Sequence, residues 1–360
     1  HAHIFVTLYW TFTHPSATVG YSTQLFELHY KMRVQTWKLT VTVVVVLVTF
    51  VLLTVTMRDN RPDNLAVPTS MQQAPADSQN LKSIRDIYLK TLKVTLTGYA
   101  FKSKAIKMGV GEVEIIDEAM NNDERRRGGD WPSVGYTMIG IIGLDNIQEL
   151  LENVIQDGVP GDFLEAGVWR GGASMFAKAL MNSYNQQNRH SWVCDSFEGL
   201  PPATQNNDDD QWSEMKALVV SKETVKGHFE EFFLLDEMVH FIQGYFMYSL
   251  PCLRKTLAEK DRKIAILRAD GDMYESSMDI LFNLYEFVPV GGYVIIDDWS
   301  IPVAVKAVNE FREMHNIKST IVQFRGISAY WKVESKIPVK YSWYEEFMKT
   351  RKLDALKKQC

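Results

Sequence analysis

The chain has few of the features that most directly announce a function. Its three cysteines, Cys194, Cys252 and Cys360, show no metal-ligand spacing and no even-numbered framework. Neither a zinc site nor a disulfide scaffold follows, and the redox compartment stays open. No Asn-x-Ser/Thr acceptor occurs, so glycosylation says nothing of the compartment either. Positive charge is not in excess. The 39 Lys and Arg against 44 Asp and Glu leave a net charge of −5, which argues against a nucleic-acid partner held through its phosphates. Neither G-x-G-x-x-G nor a glycine loop ending in Gly-Lys-Ser/Thr is present, which disfavours both phosphate-cradling motifs. No internal repeat is visible. What remains is a globular composition, 46% hydrophobic and 23% charged over 360 residues, enough for one large or two ordinary domains with a real core.

One long apolar run is present. Residues 39–57 read LTVTVVVVLVTFVLLTVTM, carry no charge and lie between Lys38 and Arg58. A bilayer-spanning helix needs about 20 such residues. A buried strand would be about 5–6 residues long, and the apolar region of a cleaved signal peptide about 7–15. A transmembrane signal anchor is therefore expected at 39–57. Lys31, Arg33 and Lys38 precede it, and Arg58 and Arg61 follow. The small excess before the run favours a cytoplasmic amino end and a lumenal domain, as in a single-pass type II membrane protein. In the preceding segment, 1–38, Met32-Arg-Val-Gln-Thr-Trp-Lys38 reads as a basic lead-in; residues 1–31 are expected either to lie upstream of the true start or to form a segment without a sequence reading. Residues 58–80, rich in Pro, Asn, Gln, Asp and Ser, read as a solvated stalk.

From residue 81 the chain becomes regular. A helical lead-in is expected at 81–160, a core at 161–333 and a tail at 334–360 that ends in a helix. Within the lead-in, Arg125-Arg-Arg-Gly-Gly-Asp-Trp-Pro132 reads as a loop with a solvated basic face. Short apolar runs are predicted as strands at 162–165, 191–195, 238–242, 263–268 and 292–296. Helices are predicted behind them at 173–183, 276–285 and 303–315. Two last strands, 320–324 and 328–333, form a hairpin-like ending. Alternating β and α units imply an α/β fold, a doubly wound sheet with right-handed crossovers.

Chemistry concentrates at four strand ends. Leu267-Arg-Ala-Asp270-Gly-Asp272-Met-Tyr-Glu275 and Gly291-Gly-Tyr-Val-Ile-Ile-Asp297-Asp298 each end an apolar run in acids. Neighbouring parallel strands deliver such residues to one rim, where ligands bind. The acids cannot share that rim ionised without a cation or raised pKa values, and an all-oxygen set suits Mg²⁺. Read singly, the same aspartates are turn formers and helix caps. Glu165-Ala-Gly167-Val-Trp-Arg-Gly171-Gly172 is a glycine turn between the first strand and its helix. Its acid–x–Gly–x–x–x–Gly form suits S-adenosylmethionine, whose sulfonium and ammonium favour a carboxylate, and also suits a plain tight turn. Asp195 ends the second strand, where an acid takes ribose hydroxyls or caps a turn.

These segments, with Asp130-Trp-Pro, Thr137-Met-Ile-Gly140, Asp157-Gly-Val-Pro-Gly-Asp162 and Asp195-Ser-Phe-Glu-Gly-Leu-Pro201, keep one order over residues 81–333. In that order they resemble the macrocin O-methyltransferase family, metal-dependent enzymes that act on sugar hydroxyls of antibiotics. The resemblance implies a class I methyltransferase (Rossmann-like) fold. It implies Asp270, Asp297 and Asp298 as magnesium ligands and Asp272 as general base. Glu165, Gly167, Gly171 and Ser174 would line the methionine end of S-adenosylmethionine, Asp195 and Ser196 the ribose, and Gln243 and Gly244 the adenine. Thr137 and Met138 would close over the cofactor. The acceptor would be a small-molecule sugar or a glycoconjugate, and assembly as a homo-oligomer is left open. Tyr248 stands where the family pattern has an acid, Ala269 replaces a larger apolar residue, and the loop 206–212 is this chain's own. Two other functions compete: a metal-dependent phosphoryl-transfer or hydrolytic enzyme on the same rim, and a membrane-tethered binding protein without catalysis.

Overall fold

The computed structural model describes residues 74–204 and 210–351. The expected anchor at 39–57, the segment before it, most of the stalk, part of the 206–212 loop and the end of the tail lie outside the described residues. Among the described residues no helix is long and apolar enough to cross a membrane.

The lead-in opens with α1 (Ala74–Leu96). The helix begins seven residues before the boundary read from the sequence, with Pro75 in its first turn, where a missing N–H costs nothing. Leu89, Leu92 and Leu96 turn inward to the core. The helix does not continue toward residue 120. A short antiparallel pair follows instead, β1 (Ala105–Ile106) with β2 (Trp131–Pro132). Between them lies α2 (Asn122–Arg127), capped by the Asn121 side chain, which accepts from the amides of Asp123 and Glu124. The basic run is thus helical, and Arg125 is not solvated. Its side chain is 1% exposed. Nε and Nη2 grip Asp130 at 2.6 and 2.9 Å, and the other donors reach the carbonyls of Thr97 and Ser103. This one guanidinium satisfies loop carbonyls that no strand partner could reach, and α3 (Gly140–Gln156) then leads into the sheet.

The core alternates strand and helix as expected: β3 (Asp162–Ala166), α4 (Gly172–Ser183), β4 (Ser191–Asp195), α5 (Lys222–Glu231), β5 (Val239–Gln243), α6 (Phe246–Glu259), β6 (Ile264–Ala269), α7 (Tyr274–Leu284), β7 (Tyr293–Ile296) and α8 (Pro302–Met314). The hairpin β8 (Val322–Phe324) and β9 (Ser328–Lys332) follows, then α9 (Tyr341–Thr350). Strand order is β5-β4-β3-β6-β7-β9-β8, with β3 to β7 parallel and β9 antiparallel to both neighbours. The order reverses at β3, so a crevice opens between the ends of β3, β4 and β6.

Side chains alternate along each strand, and both faces are covered. Phe163, Val193, Ile266 and Ile295 join the helical lead-in and α4 on one face. Leu164, Cys194, Leu267 and Ile296 join α6, α7, α8 and α9 on the other. A parallel sheet buried on two sides must be apolar at nearly every interior position. Asp162, Glu165 and Arg268 are therefore exceptions that require partners.

The carboxyl end of the described chain is tied to α7 by buried charges. Arg351 reaches Glu275 at 3.0 Å and Asp279 at 2.7 Å, all three side chains at most 1% exposed. Tyr344 Oη donates to the same Asp279 at 2.7 Å. Thr204 donates its amide and hydroxyl to Glu275. Replacing Arg351 by Met should leave two buried carboxylates without this cation, though still hydrogen-bonded, and cost about 3–5 kcal/mol. Urea unfolding measures this; a loss within the ±0.5 kcal/mol typical of surface changes would mean the pairs are solvated and the clamp is not structural.

Candidate active site

A cavity of about 360 Å³ opens at the strand ends, within the range of small-molecule sites. Glu165, Gly167, Asp195, Arg268, Asp270, Asp272, Asp297 and Asp298 line it, with Thr137 and Met138 from the lead-in and Arg325 from the β8–β9 turn. Most of the residues singled out in the sequence are therefore brought together.

The β3–α4 turn is shaped by close approach of two strands. Gly167 has φ +90°, and a Cβ there would lie 1.9 Å from the Asp270 carbonyl oxygen. Gly171, at φ +85°, starts α4, and a Cβ would meet Val225 at 2.7 Å. The second glycine faces a helix rather than the cavity. Ser174 likewise stands behind the site, donating its hydroxyl to Glu165. Glu165 takes Arg268 Nη1 at 2.6 Å on its other oxygen. Burial raises its pKa, against the pull of Arg268 and Ser174.

Asp195 does what a turn aspartate does and also faces the cavity. Its Oδ2 accepts from Val168 N at 2.8 Å and its Oδ1 from Phe197 N at 2.7 Å. Burial still raises its pKa over these amide bonds. Ser196 lines the cavity while donating to Gly199 O at 2.5 Å. Gln243 and Gly244 do not reach the lining. Gln243 is exposed, and Gly244 is buried in backbone bonds to Asp195 O and Ser249 Oγ. The next turn, Tyr245, Phe246 and Met247, forms that wall instead. The chain bends at Gly244 to begin α6, so the wall falls one to three residues later than the strand pattern suggests.

The acids divide into two groups. Asp270, Asp272 and Asp298 each offer an oxygen within 4.8 Å of the others, the group among the described residues that could hold a metal ion. Asp297, expected as a ligand, is instead held on Oδ1 by Arg268 Nη2 and by Arg325 Nη2, the latter at 2.5 Å. Asp272, expected as the base, completes the converging set. It sits at φ +56°, a costly conformation for a residue with a Cβ. Asp298 holds it there, its Oδ2 accepting from Asp272 N at 2.8 Å and Gly271 N at 3.0 Å.

The electrostatics follow this division. Burial raises Asp272 to about 7, with the charge of Asp297 adding to it. Burial and mutual repulsion put Asp270 and Asp298 well above the usual carboxylate range. Burial pushes Asp297 up as well, but Arg268 and Arg325 outweigh it and hold it low. Arg268, 2% exposed, also contacts Asp270 at 2.9 Å. The arginine near the end of the otherwise apolar β6, Ile264–Ala269, was the sequence signal for this role. Arg325 had none, because only the hairpin turn carries it to Asp297.

The comparisons with known proteins agree with this geometry. A family model described as macrocin-O-methyltransferase (TylF) matches residues 86–333. Mycinamicin III 3''-O-methyltransferase of Micromonospora griseorubida is 37% identical over 257 residues, 69% of this chain and 96% of that protein. Demethyldecarbamoylnovobiocin O-methyltransferase of Streptomyces niveus is 36% identical over 263 residues, 71% of this chain and 96% of that protein. The solved structure of the O-methyltransferase NovP has a TM-score of 0.63 and 35% identity, over 70% of this chain and 100% of NovP. The α/β sheet is thus the class I methyltransferase fold.

Replacing Gly167 by Ala tests the turn. The overpacking against Asp270 should cost about 1–3 kcal/mol and push the acidic loop out of place. An unchanged urea midpoint would show that the two strand ends are not in forced contact.

Proposed function

The chain belongs to the macrocin O-methyltransferase family, and on that premise we propose that it methylates a sugar hydroxyl, free or in a glycoconjugate, with magnesium at the acidic rim. It is an S-adenosylmethionine-dependent O-methyltransferase; the phosphoryl-transfer and non-catalytic alternatives give way to that assignment. The observation that carries the reading is the convergence of Asp270, Asp272 and Asp298 in the same cavity as the Glu165–Gly167 turn and Asp195. The relatives are methyltransferases of mycinamicin III and of demethyldecarbamoylnovobiocin, and another, of Streptomyces olivaceus, is named for a rhamnosyl tetracenomycin C, which supports a glycosylated small molecule as the acceptor class.

The residues present fit both groups. S-adenosylmethionine supplies an electrophilic methyl, and the carboxylates of Glu165 and Asp195 suit its positive charges. Asp270 and Asp298 of the converging set would hold the cation, with Asp297 through Oδ2, since Arg268 and Arg325 take its Oδ1; these are hard oxygens suited to Mg²⁺. Bound there, a divalent ion supplies Lewis acidity and orientation to a hydroxyl. The chain does the rest. Asp272 takes the hydroxyl proton, and a base near 7 is matched to neutral pH. Asp298 fixes Asp272 through its amide. Thr137, Met138 and Trp169 wall the cavity and exclude water.

Two outcomes test this reading. Asp272→Asn should keep its affinity for S-adenosylhomocysteine and lose about 10²–10⁴ in turnover; an unchanged rate removes Asp272 from the base role. The second concerns pH. Asp270, Asp272 and Asp298 ionise later when folded than when unfolded, and only Asp297 goes the other way. Their stabilisation is full below the unfolded carboxylate range and is lost as pH rises, for Asp272 through about 7. Chelator-treated protein should therefore gain more in melting temperature from Mg²⁺ at about pH 8 than at about pH 5.5, where protons compete. A gain that is absent, or equal at both, contradicts a cation at this rim.

A further inference from the structure

Arg268 stands between the cofactor turn and the acidic rim. Its Nη1 donates to Glu165 Oε1 at 2.6 Å and Asp270 Oδ2 at 2.9 Å, and its Nη2 donates to Asp297 Oδ1. Two of these partners, Asp270 and Asp297, are acids that the proposed function gives to the divalent ion. A guanidinium has no neutral form to retreat to in a protein. It therefore acts as a fixed positive charge at the place where a second cation would arrive. An oxygen lone pair already accepting a guanidinium N–H is not free for a hard cation.

The contacts differ in how firmly they are anchored. Glu165 is locked from its other side by the Ser174 hydroxyl on α4, and both it and Arg268 are 2% exposed. Asp297 has a second guanidinium, Arg325, on the same oxygen. Asp270 is the weak link. Its side chain is 25% exposed to the cavity, and Arg268 is the one cation bonded to it among the described residues. Five carboxylates, Glu165, Asp270, Asp272, Asp297 and Asp298, face the two guanidiniums of Arg268 and Arg325. The site thus offers more carboxyl groups than its two guanidiniums can take, ligands for a cation that displaces their protons, with a built-in rival for two of them.

We propose that Arg268 is an internal competitor of the divalent ion: it holds Asp270 and Asp297 in the ion-free protein and yields Asp270 when the ion binds, keeping Glu165. The inference rests on the magnesium reading above. It makes Arg268 a positioning residue that preserves the acidic rim without metal and weakens metal affinity below what the ligands alone would give. Exchangeable rather than permanent binding follows.

The experiment is Mn²⁺ binding to the full chain, read from the electron paramagnetic resonance of free Mn²⁺ without donor or acceptor. Wild type is compared with Arg268→Met and with Arg268→Met/Glu165→Gln. The double variant removes the fully buried pair together, so Glu165 is not stranded and the net charge is unchanged; Asp297 keeps Arg325, and Asp270 alone loses its guanidinium. Competition predicts at least about tenfold tighter Mn²⁺ binding in the double variant. Equal or weaker binding, with measurable wild-type binding, overturns this inference alone. No Mn²⁺ bound by folded wild type or variant overturns the magnesium reading and this inference with it. If neither variant folds, a wild-type crystal grown with Mn²⁺ decides. Loss of the Arg268–Asp270 contact supports competition, and an intact contact beside bound Mn²⁺ refutes it.

Discussion

Carboxylates gathered at one end of a parallel sheet repel one another, and the architecture of this protein is organised around that repulsion. β3, β6 and β7 end together, and each ends in acid. The chain answers with Arg268, buried within the sheet, which joins Glu165 of β3 to the acids after β6 and β7. A buried charge of this kind is tolerated only when paired and hydrogen-bonded. Arg325 brings a second cation, but from outside the parallel core, on the turn of the antiparallel hairpin. The neutralisation stops short of completion at Asp270, Asp272 and Asp298, and that remainder is where the chemistry is assigned.

The rest of the fold positions this remainder. The topological switch at β3 opens the crevice, and the glycine turn lets the end of β6 come within contact of the β3–α4 turn. Arg125 holds the irregular lead-in together so that Thr137 and Met138 reach the cavity. On the opposite layer Arg351 braces α7, the helix that follows Asp272. Three buried arginines thus do comparable work in three places. Each satisfies carbonyls or carboxylates that regular secondary structure leaves over.

Much of this was legible in the sequence. Short continuous apolar runs located every core strand to within a residue or two, because a doubly covered sheet leaves little freedom of composition. The acids after β6 and β7 were legible because strand ends share an edge. Other features were not local. The partition of Asp297 from the other acids depends on Arg325, which the hairpin alone brings near. Arg125 looked solvated because a triple arginine run says nothing of which side chain turns inward. Gln243 and Gly244 were placed at the adenine wall by analogy of position, whereas the bend into α6 exposes Tyr245, Phe246 and Met247 to the cavity. The 39–57 run lies outside the described residues.

The most direct test of the account is calorimetric titration of S-adenosylmethionine into the full chain, with Mg²⁺ and with chelator. The account predicts micromolar binding through the Glu165–Gly167 turn and Asp195, present in both conditions because those residues lie outside the converging acids. Absence of binding by demonstrably folded protein would contradict the assignment of the cavity, and with it the roles given to the acidic rim.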